Sequence, residues 1–373
     1  MSGTGNLGAL VAWGGLFLGF VFGAVANRTN FCTMGAVSDV VNMGSWGRMR
    51  MWLLAIAVAI LGTHALQLSG QIDLTKALYS RPGFTWLSYA LGGFLFGIGM
   101  TLGSGCGSKT LVRVGGGSLK SVVVFVFFGI AAYMTLKGLF AIWRTSWLDP
   151  VAIDFAARGV PRADLHTLLG AWTGAATRQV EIALVLLIAG GLLAFVFADR
   201  EFRGSFDHVL GGTVVGLTIV GGWYVTGHLG FGENPETLES TFFGTNSRTI
   251  ESLSYTAPVA YTLELLMLWS DKSLTVSFGV AAVAGIVLGS FAYAIFSKTF
   301  RWEGFVSAED TANHIIGGIL MGFGGVTALG CTIGQGLTGF STLALGSLLA
   351  FLSIVAGAAL TMKWQYNRML AEG

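Results

Sequence analysis

Three cysteines are the side chains of this sequence best suited to soft, reversible chemistry, and each stands in a break at the end of an apolar run. The stretches are Asn30-Phe31-Cys32-Thr33-Met34-Gly35, Gly103-Ser104-Gly105-Cys106-Gly107-Ser108-Lys109 and Gly330-Cys331-Thr332-Ile333-Gly334-Gln335-Gly336. A thiol is a weak S–H donor on a polarizable atom. It can contact a sulfur-bearing anion and release it, and conduction needs sites that bind and let go. A thiolate would repel the anion, so this chemistry requires the thiols to stay protonated. A cysteine beside a helix N-terminus has a lowered pKa, which works against that requirement. For one cysteine alone the commoner role is a small buried hydrophobe. Three in such breaks, two of them in register across a repeat, point to function.

Other side chains near the breaks extend the candidate site. A helix starting after each break aims unsatisfied N–H groups at the space ahead of it, which suits an anion. Arg28, Lys109 and Arg113 add positive charge if they turn inward, and Asn30, Thr332 and Gln335 offer donors. For Gln335, Thr332 and Thr338, capping of the local backbone is the competing role. The cysteines show no CxxC spacing, and the histidines are scattered, which argues against a disulfide framework or a zinc site. No Walker A loop and no dinucleotide-binding glycine motif in a βαβ setting occurs. Neither catalysis nor a metal or cofactor is expected.

The elements holding these residues are read from composition. Of the 373 residues 53% are hydrophobic and only 11% charged, against about 25% charged in soluble domains. Runs over residues 7–26, 51–68, 86–105, 121–143, 180–198, 209–231, 274–297, 315–335 and 341–362 are each long enough to cross a bilayer, which takes ~20 apolar residues. Residues 255–269 are shorter, contain Pro258 and Glu264, and read as a dip. The first run lacks a basic n-region and shares a glycine pattern with later runs, so it reads as a mature helix rather than a signal peptide. The expectation is an all-α polytopic membrane protein of about nine crossings plus re-entrant segments. Glu181, Glu264, His64 and His228 lie near segment ends, where their side chains would reach the interface. The loop 144–178 reads as a solvated cap or short amphipathic helices without chemistry.

Glycine supplies 56 residues, about twice its usual ~7%. Gly14-Gly15-x-x-x-Gly19 recurs as Gly92-Gly93-x-x-x-Gly97, Gly211-Gly212-x-x-x-Gly216 and Gly317-Gly318-x-x-x-Gly322. The second and fourth copies align without a gap as far as Cys106 and Cys331. The third reaches Thr226-Gly227-His228 with no thiol. Small residues at this spacing also simply let membrane helices pack closely. The chain divides into halves 1–200 and 201–373, with two copies each. The positive-inside rule places Arg28, Arg48, Arg50, Lys109, Arg113, Lys120, Arg200, Arg203, Lys298, Arg301, Lys363 and Arg368 on the cytoplasmic side. The segment 232–254, with Glu233, Glu236, Glu239 and Glu251 against Arg248, falls outside. The N-terminus is then external, the C-terminus cytoplasmic, and the halves are inverted, a common transporter plan.

On the motifs Asn27-Arg28-x-x-Phe31-Cys32, Gly103-x-Gly105-Cys106-Gly107 followed by Lys109 and Arg113, and Gly330-Cys331-x-x-Gly334, the chain resembles the YeeE/YedE family of bacterial inner-membrane sulfur transporters. The resemblance spans nearly the whole sequence. It implies an hourglass-shaped helical protein with pseudo-222-like internal symmetry and four loops sinking to its centre. It also implies uptake of thiosulfate or a related sulfur anion along Cys32, Cys106 and Cys331. A cytoplasmic TusA-like sulfur-carrier partner is implied as well, and no such domain is expected within the chain. Two other classes stand against this: a membrane thiol sulfurtransferase or redox protein, and a glycine-packed channel for another small solute such as a selenium species.

Overall fold

The computed structural model describes residues 3–233 and 238–372, so Glu236 of the acidic loop lies outside the described residues. Fifteen α-helices are present among them. They are α1 (Gly3–Arg28), α2 (Thr33–Ser38), α3 (Gly47–Leu68), α4 (Trp86–Leu102), α5 (Gly107–Gly115), α6 (Leu119–Lys137), α7 (Leu139–Trp143) and α8 (Leu165–Thr173). Then follow α9 (Thr177–Ala198), α10 (Arg200–Gly204), α11 (Phe206–Tyr224), α12 (Ala257–Met267), α13 (Phe278–Phe296), α14 (Ala308–Thr327) and α15 (Leu345–Glu372). The only strands among the described residues form two short antiparallel pairs, 83–84 with 153–154 and 231–233 with 240–242. Eight helical segments among the described residues are long and apolar enough to cross a membrane, with α12 as a shorter apolar helix. The protein is an all-α, multi-pass membrane protein. The ninth crossing expected over 315–335 folds as α14. Glu309 and Asp310 fill the first turn of this 20-residue helix, which packs along α4 and α6 as the other crossings pack on their neighbours.

The glycine copies become a packing rule. Each copy lies on the first helix of a unit: α1, α4, α11 and α14. Each such helix runs beside the closing helix of another unit: α1 beside α13, α11 beside α3, α4 beside α15, and α14 beside α6. The second glycine of each pair and the glycine four residues on face successive carbonyls of that closing helix. Gly15 and Gly19 face Phe278 and Ala282, Gly93 and Gly97 face Ala350 and Ile354, Gly212 and Gly216 face Met51 and Ala55, and Gly318 and Gly322 face Val124 and Phe128. A Cβ at any of these positions would come within 3.1 Å of the carbonyl oxygen. Only a residue without a side chain permits that approach, which supplies the van der Waals contact that holds membrane helices together.

Residue numbers rise together across these four pairs, so each pair is parallel. The glycine helices themselves pair the other way. Gly92 meets Gly324 while Gly99 meets Gly317, and Gly14 meets Val225 while Gly221 meets Leu18. Helices α4 and α14 are therefore antiparallel, as are α1 and α11. The breaks following α4 and α14 consequently enter from opposite ends.

Two expectations for buried groups change. His64 is 1% exposed and its Nδ1 lies 2.7 Å from Glu181 Oε1. Glu264 is 7% exposed and accepts from Tyr133 Oη at 2.7 Å and Lys137 Nζ at 3.1 Å. Instead of reaching the interface, each acid meets a partner on another helix, because an unpaired carboxylate in an apolar medium is costly. The 144–178 segment is docked rather than loose. Leu165 N donates to Leu343 O and Leu345 N to Ala163 O, each at 3.0 Å.

Candidate functional site

All three cysteines lie on one repeated backbone device. Helices α1 and α4 and the helix α14 each end in a residue of positive φ: Asn30 (52°), Ser104 (57°) and Leu329 (58°), each two positions before a cysteine. The next amide closes back five residues: Phe31 N to Ala26 O at 3.1 Å, Gly105 N to Met100 O at 2.9 Å, and Gly330 N to Gly325 O at 2.7 Å. The residue before it bonds back three: Asn30 to Asn27, Ser104 to Thr101 and Leu329 to Val326. This is the Schellman pattern of helix ends. The cysteine then starts the next helix. Cys32 Sγ accepts from Gly35 N and Cys331 Sγ from Gly334 N, both at 3.4 Å, and Cys106 N-caps α5 with its Sγ 3.4 Å from Ser108 Oγ. A non-glycine residue in this left-handed conformation costs about 1–2 kcal/mol. The chain accepts that cost before all three cysteines, and also at Leu238, Arg248, Lys298 and Leu343, which no cysteine follows.

The device brings the thiols together. Cys32 is 5% exposed, and Cys106 and Cys331 are fully buried. Cys32 and Cys106 are near neighbours, and Cys106 also lies beside Thr332 and within electrostatic reach of Cys331. Cys106 is thus the middle of the three. Thr332 Oγ1, Thr33 Oγ1, Trp52 Nε1 and Tyr255 Oη are buried and make no hydrogen bond within the described residues. Trp52 stacks between Phe31, next to Cys32, and Phe351, while the Tyr255 backbone touches Cys331. These are donors free to meet an acceptor other than the protein's own.

The third unit supplies the fourth inward stretch at the head of the dip expected over 255–269. Thr226, Gly227 and His228 continue α11 as a π turn instead of breaking it. The stretch that sinks is 252–256. Ser252 packs on Gly222, Ser254 on Gly334 and Thr256 on Gly325, and Thr256 N-caps α12 where the other units carry a cysteine. The sequence signal that marks it is Pro258 at the start of α12, a common helix-start residue.

The other expected site residues separate into three groups. Thr332 lies at the thiols. Lys109, Asn30 and Arg113 gather at one end of the cluster: Lys109 Nζ is 3.5 Å from Asn30 Oδ1, and Arg113 Nη1 donates to Ser104 O at 2.9 Å. Arg113 thereby complements the carbonyl end of α4. Arg28 and Gln335 turn elsewhere. Arg28 is 45% exposed and pairs with Asp207 at 3.0 Å. Gln335 is buried, donates to Ala328 O and accepts from Ser347 Oγ at 2.6 Å, so it fastens the Cys331 break to α15.

Two cavities flank the cluster at opposite ends of α14. One, of about 370 Å³, is lined by Met34, Ser104, Asp310 and Asn313, beside the Cys32 and Cys106 breaks. The other, of about 250 Å³, is lined by Tyr79, Arg144, Glu251, Ser254, Thr256 and Gly330, the last adjoining Cys331. Burial pushes the Glu251 carboxyl up to about 7, although Ser247 Oγ donates to it at 2.9 Å. A larger depression, about 1050 Å³, is lined by apolar side chains such as Trp13, Leu16 and Leu288 and holds no thiol. Among the described residues no group of three or more His, Cys, Asp or Glu is placed to hold a metal.

Residues 28–360 match the family described as sulphur transport. Over 374 residues the chain is 28% identical to a protein of Spirochaeta thermophila named thiosulfate transporter TsuA, covering 94% of this chain and 98% of that one. Over 332 residues it is 26% identical to the Escherichia coli protein of the same name, covering 87% and 86% respectively.

Proposed function

The chain belongs to the sulphur transport family, a family of transporters rather than enzymes, and from that premise we propose that it imports thiosulfate or a closely related sulfur anion past Cys32, Cys106 and Cys331. One observation carries the reading: three sequence-distant breaks of identical construction bring their buried thiols together, with Cys106 beside Cys32 and within electrostatic reach of Cys331. The anion makes several modest contacts in series, each weak enough to leave. Unpartnered hydroxyls at Thr33, Thr332 and Tyr255 and the Trp52 indole donate to its oxygens. Lys109 and Arg113 draw it to the cytoplasmic end. The protein lies in the inner membrane with its N-terminus outside and C-terminus inside, as the basic loops require. The halves 1–200 and 201–373 present opposed routes to the same waist, and a TusA-like carrier receives the anion on the cytoplasmic side.

The test is counterflow of labelled thiosulfate in liposomes holding the purified protein, with sulfite, sulfate and selenite as competitors. Uptake that thiosulfate competes best supports the reading. Absence of thiosulfate counterflow overturns it, and preference for selenite moves the substrate to a selenium species. Addition of a TusA-like protein inside the liposomes should raise net uptake; no change removes that partner.

A further inference from the structure

We infer that Glu251 gates the outer mouth: the anion reaches Cys331 from that side only while the Glu251 carboxyl is neutral, so transport depends on the proton concentration outside. This rests on the transport reading above and adds a specificity-determining residue to it.

The inference stands first on placement. Glu251 lines the 250 Å³ cavity whose inner wall is Gly330, the residue before Cys331. Ser254 and Tyr79 Oη bound the same approach, the latter 3.5 Å from where a Cβ on Gly334 would lie. An anion in this cavity, beside the residue before Cys331, therefore shares it with the carboxyl. It stands second on the lack of a compensating cation. Arg144, from the segment after α7, shares the cavity, but it faces Asp149 at 3.5 Å. Tyr79 and Tyr261 feel the carboxyl from the other walls, and neither is a cation. Arg248, on the same loop, is exposed, and His228 on the π turn after α11 bonds to Gln71 O at 3.2 Å. Among the described residues no ion pair neutralises Glu251. Its backbone is fixed, with its N–H donating to Thr226 Oγ1 at 3.2 Å, so the group cannot swing clear with its loop.

A carboxylate there and a divalent anion repel each other with little water between them to screen the charge. A neutral carboxyl removes the repulsion and can donate a hydrogen bond. Burial, which raises the pKa of this carboxyl to about 7, puts the change within the physiological range. The sign follows: the group is charged above about pH 7 and neutral below it, so uptake increases as the outside becomes more acidic.

The experiment is thiosulfate counterflow with equal pH on both faces, which removes any driving force from a proton gradient, measured from about pH 5.5 to about pH 8.5. The parent protein should lose roughly tenfold or more of its rate over that span. Glu251→Gln should hold the low-pH rate throughout, and Glu251→Asp should keep the slope with a displaced midpoint. A parent-like slope in Glu251→Gln overturns the inference. Should that variant not fold, an unmoved midpoint in Glu251→Asp overturns it equally. No counterflow by the parent protein at any pH overturns the transport reading itself, and this inference with it.

Discussion

The breaks at Cys32, Cys106 and Cys331 and the inward stretch 252–256 reach similar surroundings by different constructions. The first three each turn on a left-handed residue two positions before a thiol and close with the same amide-to-carbonyl bonds. The fourth has no left-handed residue at that offset, and it places Thr256 at the head of α12. A membrane chain can therefore dip and begin a new helix without the strained residue. Lys298 closes α13 with the same turn and no thiol, whereas before each cysteine the left-handed residue, at about 1–2 kcal/mol each, stands two positions ahead. Its effect is to fix the thiol at the start of the next helix, pointed at the cluster. The fourth stretch brings hydroxyls and, at its root, Glu251. The waist is accordingly soft on three sides and polar on one.

The largest effect expected separates these sides. Cys106→Ala and Cys331→Ala should each lose at least about tenfold in thiosulfate uptake, ~1.4 kcal/mol of barrier, while Thr256→Ala stays within about twofold of the parent protein. Full uptake by both cysteine variants ends the idea of a thiol relay; a large loss in Thr256→Ala erases the distinction between the stretches. Charge gives the next effect. Lys109 sits beside Asn30 at the cluster, whereas Arg28 is held by Asp207. Lys109→Gln should lower uptake roughly threefold to tenfold by weakening attraction of the anion, and Arg28→Gln should change it little. Equal losses in liposome uptake would mean that the two cations act as one ring.

The glycines allow a comparison by stability. A Cβ on Gly97 would press on Ile354 O and lie 2.8 Å from Ala358 N, while one on Gly190 in α9 meets nothing within 4 Å. Gly97→Ala should cost about 1–3 kcal/mol, and Gly190→Ala should gain up to ~1 kcal/mol. Melting temperature in detergent reads both, and a neutral Gly97→Ala would break the packing rule. The smallest effect concerns the left-handed residue. Ser104→Gly removes its strain while keeping the carbonyl that Arg113 grips, so stability should rise by about 0.5–1 kcal/mol. A fall in melting temperature would show that the serine side chain, rather than the backbone angle, is what the break needs.

Much of this was legible in the sequence because it depends on local properties. Apolar runs locate helices whatever their neighbours, and the Gly-Gly-x-x-x-Gly spacing marks helix faces that will meet. The cysteine stretches were visible because glycines and polar residues interrupt those runs. The left-handed residues were not visible, since Asn30, Ser104 and Leu329 share no side-chain chemistry and only their backbone angles agree. The fourth inward stretch was visible in part as the dip over 255–269 with Pro258, but its tie to the third unit was not, because α11 runs on through a π turn at Thr226-Gly227-His228 and residues 252–256 sink only after a loop.

The sequence by itself determined that this chain lives in a bilayer, repeats one unit four times and interrupts three units at a cysteine, because hydrophobicity and glycine spacing act over a few turns of helix. Only the tertiary structure decided the partners. Arg28 goes to Asp207, His64 to Glu181, Gln335 to Ala328 and Ser347, and each glycine helix to the closing helix of another unit. Most of these contacts join residues more than a hundred positions apart. Their formation turns on the relative placement of whole helices, so it is the packing that gathers three separate thiols and sets Glu251 in the cavity that adjoins one of them.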